Sequence, residues 1–149
     1  MKKYKIGYTQ GVFDMFHIGH LNLLKQAKAE CEYLIVGVNS DQLVQNYKHK
    51  QTVVKEEDRA EIVRSIIYVD QCEIVNSLDK VQQWKQFQFE AIFIGDDWRG
   101  DSRWNQTQID LKKYNAEVVY LTYTKGISST FLKDKEKDAV REVNDDEIE

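Results

Sequence analysis

The stretch KIGYTQGVFDMFHIGHLNLLKQAKAE, residues 5–30, holds a strand, a turn and a helix in succession. Lys5–Thr9 reads as a first strand. His17–Glu30 reads as an amphipathic helix, with Leu21, Leu24, Ala27 and Lys28 tracing its repeat. Between them, GVFDMFHIGH places two of the chain's three histidines, His17 and His20, three residues apart at the strand-to-helix junction.

The same alternation continues outward. Tyr33–Val38 (YLIVGV) is a continuous apolar run, as expected of a strand covered on both faces. Ser40 and Asp41 offer a cap for a short helix to about Gln45, and residues 46–54 read as a loop. Glu56–Ile67 reads as a helix, with acids in its first turn and Ile62, Val63 and Ile66 on one side. Cys72–Val75 is a short strand, and Asp79–Phe89 a helix with Val81, Trp84 and Phe87 spaced by threes. Ala91–Gly95 is another buried strand, residues 95–103 a loop, Trp104–Tyr114 a helix and Glu117–Leu121 the last strand. Gly126–Ser128 leads into a final helix capped by Ser128 or Ser129. Strands alternating with helices predict an α/β fold: a Rossmann-like, doubly wound parallel sheet of about five strands with helices on both faces. One domain over residues 1–132 is expected, followed by a charged acidic tail over residues 133–149.

A chain of 149 residues, 42% of them apolar, suits one domain with a single core. No apolar run approaches the roughly 18 residues that span a membrane. The start, MKKYKIGYT, lacks the apolar stretch and cleavage site of a signal peptide. A cytoplasmic protein is therefore expected. Cys31 and Cys72 match no metal or redox spacing, which fits reduced thiols. The net charge is −4, and Lys133–Glu149, with eight acids against four bases, accounts for all of it. A neutral body argues against general nucleic-acid binding, so any phosphate must be held by a local site.

In doubly wound folds, ligands bind beyond the carboxyl ends of the strands, where the strand order reverses. Residues 10–20 follow the first strand and lie at that edge. They lack G-x-G-x-x-G, so a dinucleotide-binding dehydrogenase is poorly supported. His17 and His20 stand at i and i+3 on the first turn of the helix. Free backbone amides and the positive dipole end favour an anion there, and two imidazoles add donors aimed at the same place. Such a set suits a phosphate that gains charge during transfer. Gly19 leaves room for a ligand close to the backbone. Taken alone, H-x-x-H also fits a pair of capping histidines, or part of a zinc site with Asp14 as the near third ligand; Asp14 equally suits a helix cap.

The whole string is more specific than the pair. GVFDMFHIGH resembles the G-x-F-D-x-x-H-x-G-H signature of the nucleotidyltransferase superfamily that includes the cytidylyltransferases. Gly11, Phe13, Asp14, His17, Gly19 and His20 fill every fixed position. Lys48 and Lys50 match a K-x-K phosphate loop, and residues 57–70 (EDRAEIVRSIIYVD) resemble an E-x-R…R-Y-V-D helix. Gly95–Trp98 resembles G-D-D-W, and Thr124–Thr130 resembles T-E-G-I-S-T-T. The resemblance is strongest to the glycerol-3-phosphate cytidylyltransferases.

That resemblance implies an enzyme joining CTP to a small phosphorylated alcohol, giving a CDP-alcohol and pyrophosphate by in-line attack on the α-phosphorus. It implies catalytic roles for His17, His20, Lys48 and Lys50. Nucleotide contacts would fall on Gly11, Val12, Phe13, Gly19, Asp96, Asp97, Gly126, Ile127, Ser128, Ser129 and Thr130. Asp96 and Asp97 would accept from the exocyclic amine of cytosine, and Ser128–Thr130 would hold phosphates at a second helix N-terminus. Acceptor contacts would fall on Asp14, Arg59, Arg64, Asp70, Tyr123 and Lys125. Mg²⁺ is expected with the triphosphate rather than in a protein cage. A homodimer and a step in cell-surface polymer synthesis are carried over in the same way.

The chain departs from the pattern at two arginines. The R-T-E-G-I-S segment has Tyr123 for the arginine and Lys125 for the acid, and Ile67 stands for the arginine before Y-V-D. Neither tyrosine nor isoleucine replaces a bidentate guanidinium. Lys125, and Arg64 one helical turn before Ile67, are the expected compensations. The altered arginines keep open an adenylyltransferase of the same fold, acting on flavin mononucleotide for example. A nucleotide-binding regulator without catalysis is the third reading, against which intact His17, Gly19 and His20 stand.

Overall fold

The computed structural model describes residues 2–122; the final helix and acidic tail read from the sequence lie outside the described residues. Strands β1 (Tyr4–Gly11), β2 (Cys31–Asn39), β3 (Gln71–Val75), β4 (Ala91–Gly95) and β5 (Glu117–Leu121) form one parallel sheet in the order β3-β2-β1-β4-β5. Helices α1 (Ile18–Glu30), α2 (Asp41–Lys48), α3 (Glu56–Arg64), α4 (Lys80–Phe87) and α5 (Ser102–Lys112) connect them. Right-handed crossovers put α1, α2 and α3 on one face and α4 and α5 on the other. Trp84 of α4 stacks at 4.3 Å on Tyr114, just past α5. The expected doubly wound α/β architecture is the one observed.

The apolar runs lie where their patterns place them. β1, β2 and β4 are almost continuously buried, as strands covered on both faces must be. On the α4 face, Tyr8 is held between Phe87 and Phe89, with ring centroids 5.1 Å from each. Gly37 of the neighbouring strand makes room for it: a Cβ there would lie 2.3 Å from the Tyr8 hydroxyl oxygen.

Several boundaries differ from the sequence reading, each for a local reason. Helix α2 runs on to Lys48, past the expected end near Gln45, and stops where His49 turns left-handed at φ 58°. The loop is therefore shorter, residues 49–55. Helix α3 ends at Arg64 rather than Ile67, because past it the amides of Ser65 and Ile66 close tighter i→i−3 bonds on Ile62 O and Val63 O, and the Ser65 hydroxyl takes Glu61 O. Residues 96–98 form a single 3₁₀ turn, and α5 starts at Ser102 because Asp101 caps it by accepting from Arg103 and Trp104 N–H. Helix α1 buries His20, Leu23, Leu24 and Ala27, a face rotated from the one traced in sequence. Its first buried side chain is thus one of the histidines.

The direction of winding reverses at β1, which lies between β2 and β4. The β1–β4 ladder extends only through Gly7–Ala91 and Tyr8–Ile92. Beyond it the Thr9 hydroxyl, not the backbone, bonds Phe93 O at 2.9 Å. The two strands therefore part toward their carboxyl ends, which is the crevice a doubly wound sheet offers a ligand.

Candidate active site

The turn from β1 into α1 is locally forced. Phe13 and Met15 both adopt positive φ, at 55° and 51°, a conformation that costs a non-glycine residue on the order of 1–3 kcal/mol. Burial holds it in place. Phe13 is sealed in the core and meets the His20 ring edge-on at 5.3 Å, while Phe16 packs on the same imidazole at 5.3 Å.

His17 is the N-cap of α1, and its Nδ1 accepts from Gly19 N–H at 3.1 Å. His20 is the third residue of the helix, and its Nδ1 accepts from His17 N–H at 3.2 Å. The two form a capping box in which both side chains are imidazoles. Their rings stack at 3.9 Å with 22° between planes.

This geometry fixes the protons. An imidazole that accepts at Nδ1 carries its proton at Nε2 when neutral. Burial lowers the pKa of His17, and burial followed by the neighbouring His17 lowers that of His20 well below 6.5. Both rings are therefore neutral near pH 7. Both Nε2 atoms are buried and have no hydrogen-bond partner among the described residues. The expected anion site differs in one respect. The amides of His17 and Gly19 are not free; each donates to an imidazole, which presents a donor of its own at the far side of the ring. The helix terminus acts through the histidines.

The surrounding loops are tied to this turn. Asp14 is buried and accepts from Val53 N–H at 2.8 Å and Val54 N–H at 2.9 Å, so its carboxylate fastens the 49–55 loop. Among the described residues no cluster of His, Cys, Asp and Glu could hold a metal ion, and the N-cap of α1 is His17. Lys48 ends α2, and Lys50 lies on that fastened loop. Asp41 holds the same loop from below: it accepts from the Thr52 hydroxyl at 2.9 Å, and its own amide donates to Glu56 Oε1 at 2.8 Å.

Arg59 has a different role from the expected acceptor contact. Its side chain is closed to solvent, and its guanidinium donates to Val54 O, Val12 O and Asn39 O, each at 2.8 Å, and to Asp41 Oδ1 at 2.5 Å. It clamps the site from behind. Asp41 is held below the usual carboxylate range despite the opposing cost of burial, chiefly by this guanidinium and the Thr52 hydroxyl.

Arg64 and Asp70 are not brought to the histidines. Helix α3 runs antiparallel to the strands, so its end lies at their amino edge. There Arg64 donates to Cys72 O at 3.2 Å and pairs with Glu61 at 3.2 Å. Asp70 accepts from Leu34 N–H at 2.8 Å and pairs with Lys28 at 2.6 Å. Ile67 is 87% exposed in the same region. Arg64 therefore does not stand in for the missing arginines within one chain. Asp96 and Asp97 do lie at the carboxyl edge, in the 3₁₀ turn directly after β4. Tyr123, Lys125, Gly126, Ile127, Ser128, Ser129 and Thr130 lie outside the described residues.

Two features escaped the sequence reading. Lys80, the first residue of α4, is buried, donates to Leu78 O at 2.8 Å and lies 5.3 Å from the Trp104 ring centre. A cation at the positive end of a helix is unfavourable for the helix alone, and that was the available signal. The second is a buried polar chain: Gln10 Nε2 donates to Asn39 Oδ1 at 2.7 Å and Ser77 O at 3.0 Å, and Asn39 donates to the Tyr47 hydroxyl at 3.0 Å. It runs under the β1, β2 and β3 side of the carboxyl edge.

Comparison with known proteins agrees with this geometry. Residues 8–135 match the family model described as Cytidylyltransferase-like. The chain is 35% identical over 132 residues to the glycerol-3-phosphate cytidylyltransferase of Bacillus spizizenii, covering 84% of this chain and 92% of that protein. It is 35% identical over 115 residues to the FAD synthase of Thermococcus kodakarensis, covering 76% of each. Among solved structures, the lipopolysaccharide core biosynthesis protein of Thermoplasma volcanium shares the fold, with a TM-score of 0.71 at 23% identity, covering 82% of this chain and 99% of that one.

Proposed function

The chain belongs to the cytidylyltransferase-like family and is a nucleotidyltransferase, and from that premise we propose that it transfers the cytidylyl group of CTP to a small phosphorylated alcohol. The supporting observation is the stacked pair of neutral imidazoles, His17 and His20, whose buried Nε2–H donors have no partner among the described residues. An acceptor phosphate oxygen attacks the α-phosphorus in line. The new P–O bond forms as the bond to the bridging oxygen breaks, and pyrophosphate leaves with the electron pair. No proton has to move at the histidines. Charge accumulates on the phosphoryl oxygens, and two fixed donors in a water-poor crevice stabilise it more than they stabilise the ground state.

Lys48 and Lys50 serve the phosphates from the loop that Asp14 and Asp41 fasten. Asp96 and Asp97 serve the cytosine amine from the end of β4. The donor set at the histidines is made of N–H groups, which do not ligate a cation; Mg²⁺ would come bound to the CTP phosphates and would neutralise their charge. The similarity to an FAD synthase favours ATP and flavin mononucleotide as the second reading. No helix among the described residues is long and apolar enough to cross a membrane. In the proposed reading the enzyme works in the cytosol as a homodimer, making a precursor for a surface polymer, and sedimentation at micromolar concentration tests the dimer.

The test of the reaction is pyrophosphate release with Mg²⁺, offering CTP and ATP separately, each with a pool of phosphorylated alcohols and flavin mononucleotide. Acceptor-dependent release with CTP is the expected result. Release with ATP and flavin mononucleotide alone replaces it with the second reading.

A further inference from the structure

The polar side chains beneath the carboxyl ends of β1 and β2 form a chain whose hydrogen bonds all run one way. The Tyr8 hydroxyl donates to Gln10 Oε1 at 3.3 Å, Gln10 Nε2 donates to Asn39 Oδ1 at 2.7 Å, and Asn39 Nδ2 donates to the Tyr47 hydroxyl oxygen at 3.0 Å. Tyr8, Gln10 and Asn39 are at most 1% exposed. The backbone dictates the direction. Gln10 Nε2 also donates at 3.0 Å to Ser77 O, which accepts from Gln83 as well. A carbonyl oxygen only accepts, so Gln10 must turn its nitrogen to Ser77. Asn39 then offers its oxygen to Gln10 and its nitrogen to Tyr47.

Asn39 is tied to the histidine turn twice. Gln10, which bonds its side chain, directly precedes Gly11 at the end of β1. Arg59 Nη1, which donates to its backbone oxygen at 2.8 Å, also donates to Val12 O. At the far end of the chain, Tyr47 is the penultimate residue of α2 and Lys48 the last. A helix of eight residues does not hold its own geometry, so tertiary contacts place it. Ser40 caps its first turn, accepting from Leu43 N–H at 3.1 Å, and the buried Leu43 and Val44 seat its middle. In the last turn Tyr47 reaches back to the sheet through Asn39. The Lys48 ammonium lies 5.8 Å from the centre of the Tyr47 ring, within cation–π range.

We propose that Tyr47 is a positioning residue for Lys48: through Asn39 it fixes the lysine against the histidine turn, so that the ammonium and the imidazole donors meet the same triphosphate. The proposal rests on the nucleotidyl-transfer reading above, in which Lys48 serves the phosphates. An apolar contact would bury the same surface without setting a direction. A chain of directed hydrogen bonds sets distance and rotation together. Displacing a phosphate donor by about 1 Å can cost as much as a hundredfold in rate.

Two measurements on the full-length protein test this. Tyr47→Phe keeps the ring and removes the hydroxyl. In the ligand-free variant, amide hydrogen exchange over residues 47–49 should accelerate by about fivefold, the effect of one lost hydrogen bond, with exchange in β1 and β2 unchanged. Unchanged exchange over residues 47–49 overturns the proposal. The second measurement is a double-mutant cycle of Tyr47→Phe and Lys48→Met, read both in kcat/KM and in Kd by calorimetric titration, with CTP and with ATP. Tyr47→Phe alone should weaken both quantities by roughly tenfold for the nucleotide used, with the acceptor KM unchanged. In the Lys48→Met background the same change should matter by less than about twofold. An equal loss in both backgrounds, or no loss in either, would mean that Tyr47 does not act through Lys48 and would refute the proposal. A coupled cycle in Kd without turnover on any acceptor would sustain the proposal and defeat the transfer reading; turnover with an additive cycle would do the reverse.

Discussion

His17 performs two tasks through two nitrogens, and two substitutions separate them. Nδ1 accepts from Gly19 N–H and caps α1; Nε2 carries the proton that the proposed function assigns to the phosphate. In His17→Asn, the amide oxygen occupies the place of Nδ1, so the cap survives and the Nε2 donor is lost. In His17→Gln, the amide nitrogen reaches the place of Nε2, so a donor survives and the cap is lost. A transition-state donor of this kind is worth about 10²–10³ in kcat. A lost N-cap costs about 1 kcal/mol of stability, which for a domain of this size lowers Tm by roughly 2–4 °C. His17→Asn should therefore fall by about two to three orders of magnitude in kcat at unchanged Tm. His17→Gln should retain the larger share of kcat and lose those few degrees. Steady-state pyrophosphate release and thermal unfolding read the two effects independently. The reverse pattern, an active Asn variant and an inactive Gln variant, would refute the assignment of the nitrogens.

Three further outcomes follow from the same contacts. Because burial lowers both histidine pKa values, the unfolded chain binds protons that the folded one does not; stability is full above pH 6.5 and is lost as pH falls below it, which urea midpoints at pH 7.5 and 5 should show, with the slope reduced in His20→Gln. Arg59→Met should cost about 3–5 kcal/mol, because Asp41 and three backbone carbonyls lose their donors at once; a loss below about 1 kcal/mol in urea unfolding would contradict the clamp. Gly37→Ala should cost about 1–3 kcal/mol by driving a Cβ against the Tyr8 hydroxyl, and Tyr8→Phe should recover part of it in a double-mutant cycle; strictly additive losses would show the contact to be irrelevant.

What could be read in advance, and what could not, divides along physical lines. The alternation of apolar runs with helical segments carried the sheet, because period and length are local properties. The histidine turn was legible because its residues are contiguous and their chemistry is distinctive. The edge at which a residue lies depends on chain direction. Helix α3 precedes β3 and must end at its amino edge, so the displacement of Arg64 and Asp70 was implicit in the predicted topology even though the resemblance grouped them with the site. The role of Arg59 was not legible. Nothing in E-x-R states that the guanidinium turns inward, since its partners Val12, Asn39 and Asp41 come from distant parts of the chain. The same holds for Gln10 and Gln83, which meet only through Ser77 O. The imidazole capping box lay between these cases: the i, i+3 spacing was visible, but which ring nitrogen faces the helix is a matter of rotamer, and that decides where the proton sits.

The most direct measurement is ¹⁵N NMR of the histidine side chains at pH 7, without and with CTP. The expected spectrum shows His17 and His20 as neutral imidazoles protonated at Nε2, with both Nε2 resonances shifting as CTP binds. Imidazolium rings, protons at Nδ1, or Nε2 signals indifferent to CTP would contradict the assignment of the pair as the phosphate donors.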